Sequence, residues 1–179
     1  MRLDILHLFE NYDIVLFQET WLAKQDLNAC NSLHENFLAV SVASVDYSAG
    51  ILHGRPFGGV SVFFHKRLLN YIMPVYFPDC NCCVGVNITV DCTHFTLFNV
   101  YLPFESNNHA DEYIEKLTLL ESHIDNISHA SYALVEDFNA NFSSANSKFA
   151  EHIVNFCNRN NLTNTFVKNS FTRGHFYLH

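Results

Sequence analysis

Positive charge is scarce in this chain. Ten Lys and Arg stand against 18 Asp and Glu, giving a net charge of −8 over 179 residues. Tight electrostatic binding of nucleic acid comes from Lys and Arg on phosphates, so the balance counts against strong nucleic-acid affinity by this chain alone. It does not count against a site that concentrates carboxylates around a cation. Long apolar runs are also missing: none reaches the about 18 residues that read as a membrane span. Asp4, His7, Glu10 and Asp13 interrupt the first apolar stretch, which is therefore not a secretory signal. Internal repeats, low-complexity tracts and interdomain linkers are absent, so the chain reads as one domain large enough to bury a core.

Six cysteines without a signal peptide predict reduced thiols in an intracellular protein, nuclear or cytoplasmic and not secreted. Cys80 and Cys83 have a spacing seen in zinc sites, with Cys82, Cys92 and His94 nearby, but the second ligand pair has no usual spacing. Free cysteines in a hairpin are the favoured reading. The sequons at Asn87, Asn126, Asn141 and Asn161 are then unused.

What the chain does have is apolar content, 49% with 17 Phe, arranged in alternating helix and strand patterns. Leu3, Leu6, Phe9 and Tyr12 recur at three-residue spacing and predict an amphipathic helix ending near Asn11 or Tyr12. Strands are predicted over 13–17, 37–45, 59–64 and 132–135, and a hairpin over 83–90 and 94–101 turning at Asp91-Cys92-Thr93. A helix over 109–127 carries the stripe Tyr113, Leu117, Leu120 and Ile124, with Asp111, Glu112, Glu115 and Lys116 facing water. Ser147 is placed to cap a helix running to about Asn158, with Phe149, Ile153 and Phe156 inward and Glu151 in an early turn. The mixture predicts an α/β fold of two packed sheets flanked by helices.

Three apolar runs break abruptly into residues that bind cations or donate hydrogen bonds. Residues 13–17 lead into Gln18-Glu19-Thr20-Trp21, residues 95–98 into Asn99 and Tyr101, and residues 132–135 into Glu136, Asp137 and Asn139. Polar groups gathered where buried strands end are well placed to form a ligand site at one rim of a sheet. Taken singly, Glu19 or Asp137 reads equally well as a turn residue or a cap, Asn139 as a loop cap, and Tyr101 as a core residue with its hydroxyl at the surface. Their gathering favours a site. Two carboxylates about 5 Å apart at an effective dielectric near 20 repel by roughly 3 kcal/mol, which a proton or a divalent cation must offset.

Gln18-Glu19-Thr20, Gly58-Gly59-Val60-Ser61-Val62, Asn99-Val100-Tyr101-Leu102-Pro103 and Asp137-Phe138-Asn139 occur in that order. With them the chain resembles the endonuclease/exonuclease/phosphatase family, over nearly its whole length. Gln18 to Leu22, the segment from Tyr101 to Asn126 and the closing Phe171-Thr172-Arg173-Gly174 look most like the endonuclease domains of non-LTR retrotransposons. The resemblance implies a four-layer α/β sandwich, here lacking the family's opening strand, with its Asn, and its closing strands, with an Asp and a Ser-Asp-His. His175 and His179 do not follow Ser-Asp and are not assigned that role. The family has Gly where this chain has Glu136.

The resemblance also implies the chemistry. Glu19 would hold Mg²⁺, with Mn²⁺ as a substitute, while Asp137 and Asn139 would orient the attacking water and the phosphate. Tyr101 would donate to a phosphate oxygen, Asn99 would support the site, and Arg55 would meet a phosphate. The activity implied is hydrolysis of a phosphodiester, with DNA as substrate and a reverse transcriptase module as neighbour where the chain is part of a longer polyprotein. The alternatives are a phosphodiesterase or phosphatase acting on RNA, lipid or inositol phosphate, and a non-catalytic remnant that binds a partner.

Overall fold

The computed structural model describes residues 2–48, 50, 57–104, 106, 109–127, 131–140, 147–165 and 175–178. In chain order these form α1 (Arg2–Asn11), β1 (Ile14–Gln18), α2 (Asn28–Asn31), β2 (Phe37–Val42), β3 (Val60–His65), β4 (Ile72–Val75), β5 (Cys83–Val90) and β6 (Thr93–Tyr101). Then follow α3 (Ala110–Asp125), β7 (Ser131–Asp137), α4 (Lys148–Arg159), β8 (Thr163–Thr165) and β9 (His175–Leu178). No helix among the described residues is long and apolar enough to cross a membrane.

Two sheets result. One is three-stranded, ordered β1-β3-β2 and antiparallel throughout; the other is six-stranded, ordered β4-β5-β6-β7-β9-β8. The second sheet is mixed because β6 and β7 run parallel, joined by the crossover helix α3. That parallel register sets Tyr101 opposite Asp137 and Asn99 opposite Val135, so the two strands end together.

Period-two alternation gives each sheet two covered faces, and three apolar clusters fill the gaps between layers. Phe9, Val15, Cys30, Phe37 and Phe63 lie between the small sheet and α1 and α2. Val40, Val60, Val62, Phe64, Val84 and Val86 lie between the sheets. Phe98, Val100, Leu134 and Phe138 pack against Tyr113, Leu117 and Leu120 of α3 and Phe149, Ile153 and Phe156 of α4. Helix, sheet, sheet and helix make an α/β sandwich, as the sequence predicts.

The caps and helix contacts follow local chemistry. The Ser147 hydroxyl accepts from the Ala150 amide at 3.0 Å, satisfying one of the free donors at the start of α4. Arg159 then grips Glu121 of α3 through Nε at 2.6 Å and Nη2 at 2.9 Å, a two-pronged bond that ties the two helices. Several details depart from the sequence reading. Tyr12 lies outside α1 and is exposed, and Ile5 and Leu8 join Phe9 at the core instead. The hairpin turns on Asp91 and Cys92 alone, since Thr93 already pairs with Val90; Asp91 takes the left-handed conformation this tight turn requires, φ 52°. Lys116 does not face water: its side chain is 13% exposed, held by Glu112 at 3.0 Å and by the Asn81 side-chain oxygen at 3.1 Å.

Candidate active site

Two amides lock the sheets together directly beneath the rim. Asn99, fully buried on β6, donates from Nδ2 to the Phe17 and Ser61 carbonyls of the small sheet, both at 2.9 Å. Gln18, at the end of β1, donates the opposite way to the Val100 carbonyl at 2.9 Å and the Val135 carbonyl at 3.4 Å. Buried carbonyls need such partners, and here two side chains serve four of them across the gap between sheets. The ends of β1, β6 and β7 are thereby brought to one place.

Past Gln18 the chain turns sharply. Glu19 and Trp21 take positive φ of 52° and 55°, a region few non-glycine residues occupy. The turn is held by the glycine pair: the Thr20 amide donates to the Gly59 carbonyl at 3.2 Å and the Trp21 amide to the Gly58 carbonyl at 3.0 Å. Both glycines have positive φ, and a Cβ on Gly59 would lie 2.5 Å from the Thr20 hydroxyl oxygen. The Ser44 hydroxyl accepts from the Gly59 amide at 3.1 Å and fixes the pair from behind.

This turn presents the exposed Glu19 carboxylate to Tyr101, whose hydroxyl donates to Glu19 Oε1 at 2.7 Å. On the adjoining strand Asp137 Oδ1 accepts from the Asn139 amide at 3.2 Å, while Asn139 Nδ2 donates to the Leu102 carbonyl at 2.8 Å. Asn139 also takes a positive φ, 50°. Strained backbone of this kind gathers where surrounding structure holds side chains in fixed poses. Burial first, then the charges of Glu19 and Asp137, push the Tyr101 phenol above its ordinary value of 10; the Asn139 side chain opposes the shift. A phenol so placed stays protonated at neutral pH and acts as a hydrogen-bond donor. Beside it a cleft of about 250 Å³ opens between Phe57, Phe104 and Lys116.

Of the residues singled out by sequence, Glu19, Tyr101, Asp137 and Asn139 share this rim, and Asn99 lies one layer below it. Arg55 lies outside the described residues. Sequence reasoning did not assign a role to Gln18 or Ser44. An amide just before the Glu was the available signal for Gln18; Ser44 carries none, because its role depends on a loop meeting the glycine pair.

The donor set suits a hard divalent cation. It is all oxygen, and Glu19 Oε2 has no protein hydrogen bond among the described residues. No group of three or more His, Cys, Asp and Glu side chains gathers there among the described residues.

Next to Asp137, Glu136 points the other way. It is fully buried, neither oxygen makes a hydrogen bond, and burial first, then the Asp137 charge, pushes its carboxyl well above the usual 4.5. The Phe138 amide opposes that shift only weakly. The strand alternation is regular through this point, so Glu136 does not displace Asp137 from the rim.

By sequence the chain matches no family model and no curated protein. By structure it is similar to the AP endonuclease LMAP from Leishmania major, with TM-score 0.67 and 10% identity over 99% of this chain and 72% of that one. The fold is that of the endonuclease/exonuclease/phosphatase family. Two more proteins of this fold show its range. The endonuclease domain of TRAS1, a telomere-specific non-LTR retrotransposon, gives TM-score 0.57 and 14% identity over 99% of this chain and 77% of that one. A mannosyl-6-phosphatase from Bacteroides thetaiotaomicron gives TM-score 0.60 and 14% identity over 99% and 75%. In the endonuclease/exonuclease/phosphatase fold of this chain, the rim carrying Glu19, Tyr101 and Asp137 is formed by the ends of β1, β6 and β7.

Proposed function

We propose that this chain is the core of a divalent-metal-dependent phosphodiesterase acting on DNA, of the retrotransposon endonuclease type. The observation that carries the reading is the convergence of Glu19, Tyr101, Asp137 and Asn139 at one rim, with the Tyr101 hydroxyl 2.7 Å from Glu19. Glu19 is the residue to hold Mg²⁺ or Mn²⁺, and a bound cation neutralises phosphate charge during displacement. Tyr101, kept protonated by burial and its acidic neighbours, donates to a phosphate oxygen as negative charge builds there. Asp137 accepts a hydrogen bond from the attacking water and orients it. Asn139, pinned by Leu102, holds the loop that carries this pair. An AP endonuclease and a retrotransposon endonuclease domain are among the proteins of this fold, in keeping with DNA as the substrate.

The resemblance puts the family's general base in a Ser-Asp-His, a motif this sequence does not carry, and that role is worth roughly 10²–10⁴-fold. Slow turnover by the isolated chain is therefore expected. The test is nicking of supercoiled plasmid with Mg²⁺, Mn²⁺ or chelator present. Metal-dependent nicks lost in both Glu19→Ala and Asp137→Ala support the reading. A folded chain that never cuts supercoiled, abasic or single-stranded DNA in either metal supports a non-catalytic binding role instead.

A further inference from the structure

The thiols are unevenly placed, and two of them touch. Cys80 and Cys82 have sulfur atoms 3.5 Å apart in the segment that enters β5, both buried. Cys92 is exposed on the hairpin turn, and Cys30 meets the Ser61 hydroxyl. We propose that Cys80 and Cys82 form a peroxide-reactive thiol pair that closes to an intrachain disulfide and shifts the backbone holding Tyr101.

The chain bends at Asn81 and Cys82 just before β5, which brings the two side chains together. A disulfide needs sulfurs about 2.05 Å apart, so closure draws the pair together by about 1.5 Å. The chemistry favours Cys80 as the attacking group. The two thiols share a hydrogen bond that either can donate, the Cys82 and Cys83 amides point towards Cys80, and the Lys116 ammonium lies near; against burial, these lower the Cys80 pKa. Lys116 is itself fixed by Glu112 and by the Asn81 side chain. Cys82, whose sulfur lies 3.5 Å away, is placed to resolve the oxidised Cys80. Cys80 is the more open of the two, 6% exposed against 2% for Cys82.

The reaction balances with hydrogen peroxide. The Cys80 thiolate attacks one peroxide oxygen; the S–O bond forms, the O–O bond breaks, and the departing hydroxide takes a proton to become water. Cys82 then gives up its proton and attacks the Cys80 sulfur. The S–S bond forms, the S–O bond breaks, and a second water leaves. Two thiols lose two electrons and peroxide is reduced to two waters.

The segment is tied to the rim at two points. The Cys82 carbonyl accepts from the Tyr101 amide at 2.9 Å. The Asn81 carbonyl accepts from the Ser44 hydroxyl at 3.3 Å, and that hydroxyl in turn accepts from the Gly59 amide. Closure pulls on Asn81 and Cys82, and hence on Tyr101 and the glycine pair that shapes the Glu19 turn.

The experiment uses the Cys92→Ser chain, which removes the exposed thiol, treated with hydrogen peroxide, quenched in denaturant, alkylated and mapped by mass spectrometry. The expected peptide carrying residues 80–83 has lost two hydrogens and alkylates at Cys83 only. Adding Cys82→Ser, or Cys82→Ala if the serine form fails to fold, should leave Cys80 as a sulfenic acid that dimedone traps. Hydrogen exchange should show the Tyr101 amide losing protection on oxidation of the Cys92→Ser chain but not of the Cys82 variants. Full alkylation of both thiols after peroxide overturns the pair. A Cys80 adduct with dimedone that is equally abundant with and without Cys82 does the same. A disulfide that leaves Tyr101 protection unchanged overturns the link to the rim.

Discussion

The six-stranded sheet has one face turned towards β1 and β3 and one turned towards α3 and α4, and both meet polar residues near the same strand ends. On the inner face, Asn99 Nδ2, Tyr101 and Asp137 find partners across the gap or open onto the rim, and Asn99 Oδ1 alone of these is buried without one. On the helix face, Phe98, Val100 and Leu134 pack among helix side chains, and Glu136 has no hydrogen-bond partner there. Asp137 and Glu136 are adjacent in one strand, so a single step of alternation separates a usable carboxylate from a trapped one. A polar side chain becomes part of a site here only where another layer offers it carbonyls or where the strand runs out to solvent.

Asn99→Leu breaks the comparison from the paired side. It removes two hydrogen bonds across the gap, each worth about 0.5–1.5 kcal/mol, so chemical denaturation should show a loss of about 1–3 kcal/mol. Glu136→Leu tests the unpaired side and should stabilise the fold at pH 8 by about 1–3 kcal/mol. The pH dependence gives a second check. Below 4.5, the ordinary value, the carboxyl is neutral folded and unfolded; above it, only the unfolded chain releases the proton. Glu136 therefore makes stability fall as pH rises, by at most about 1.4 kcal/mol per unit until its raised folded pKa is reached. Denaturant melts between pH 5 and 8 should show that slope in the wild type and lose it in Glu136→Gln.

Gly59→Ala sharpens the comparison at the turn. Its φ of 83° and a Cβ 2.5 Å from the Thr20 oxygen should cost about 1–2 kcal/mol, read as a lower melting temperature. Tyr101→Phe should have the smallest effect on stability, within about 0.5 kcal/mol, because the hydroxyl it removes bonds an exposed carboxylate. Its effect should appear instead as slower plasmid nicking at unchanged fold.

Much of this arrangement was legible in the sequence, for identifiable reasons. The stripe Tyr113, Leu117, Leu120 and Ile124 is the buried face of α3, because helical spacing over about three turns leaves little ambiguity. Ser147 announces α4 through a capping bond made within three residues. The rim residues were legible as ordered motifs at the ends of apolar runs. What stayed hidden depends on partners distant in sequence. β4 is only four residues with a proline inside, and it exists because β5 pairs with it from the hairpin. Lys116 sits on the polar side of its helix and turns inward for Asn81, on the far side of a loop. The gap between Asn99 and Phe17 in the chain conceals the two-way amide lock that holds the sheets together.

The most direct test of the rim as a cation and phosphate site is titration calorimetry with Mg²⁺ on the wild type and on Glu19→Ala. The account predicts binding by the wild type and none by a variant that remains folded by circular dichroism. A folded wild type that binds no Mg²⁺, or a variant that binds as well as the wild type, would contradict it.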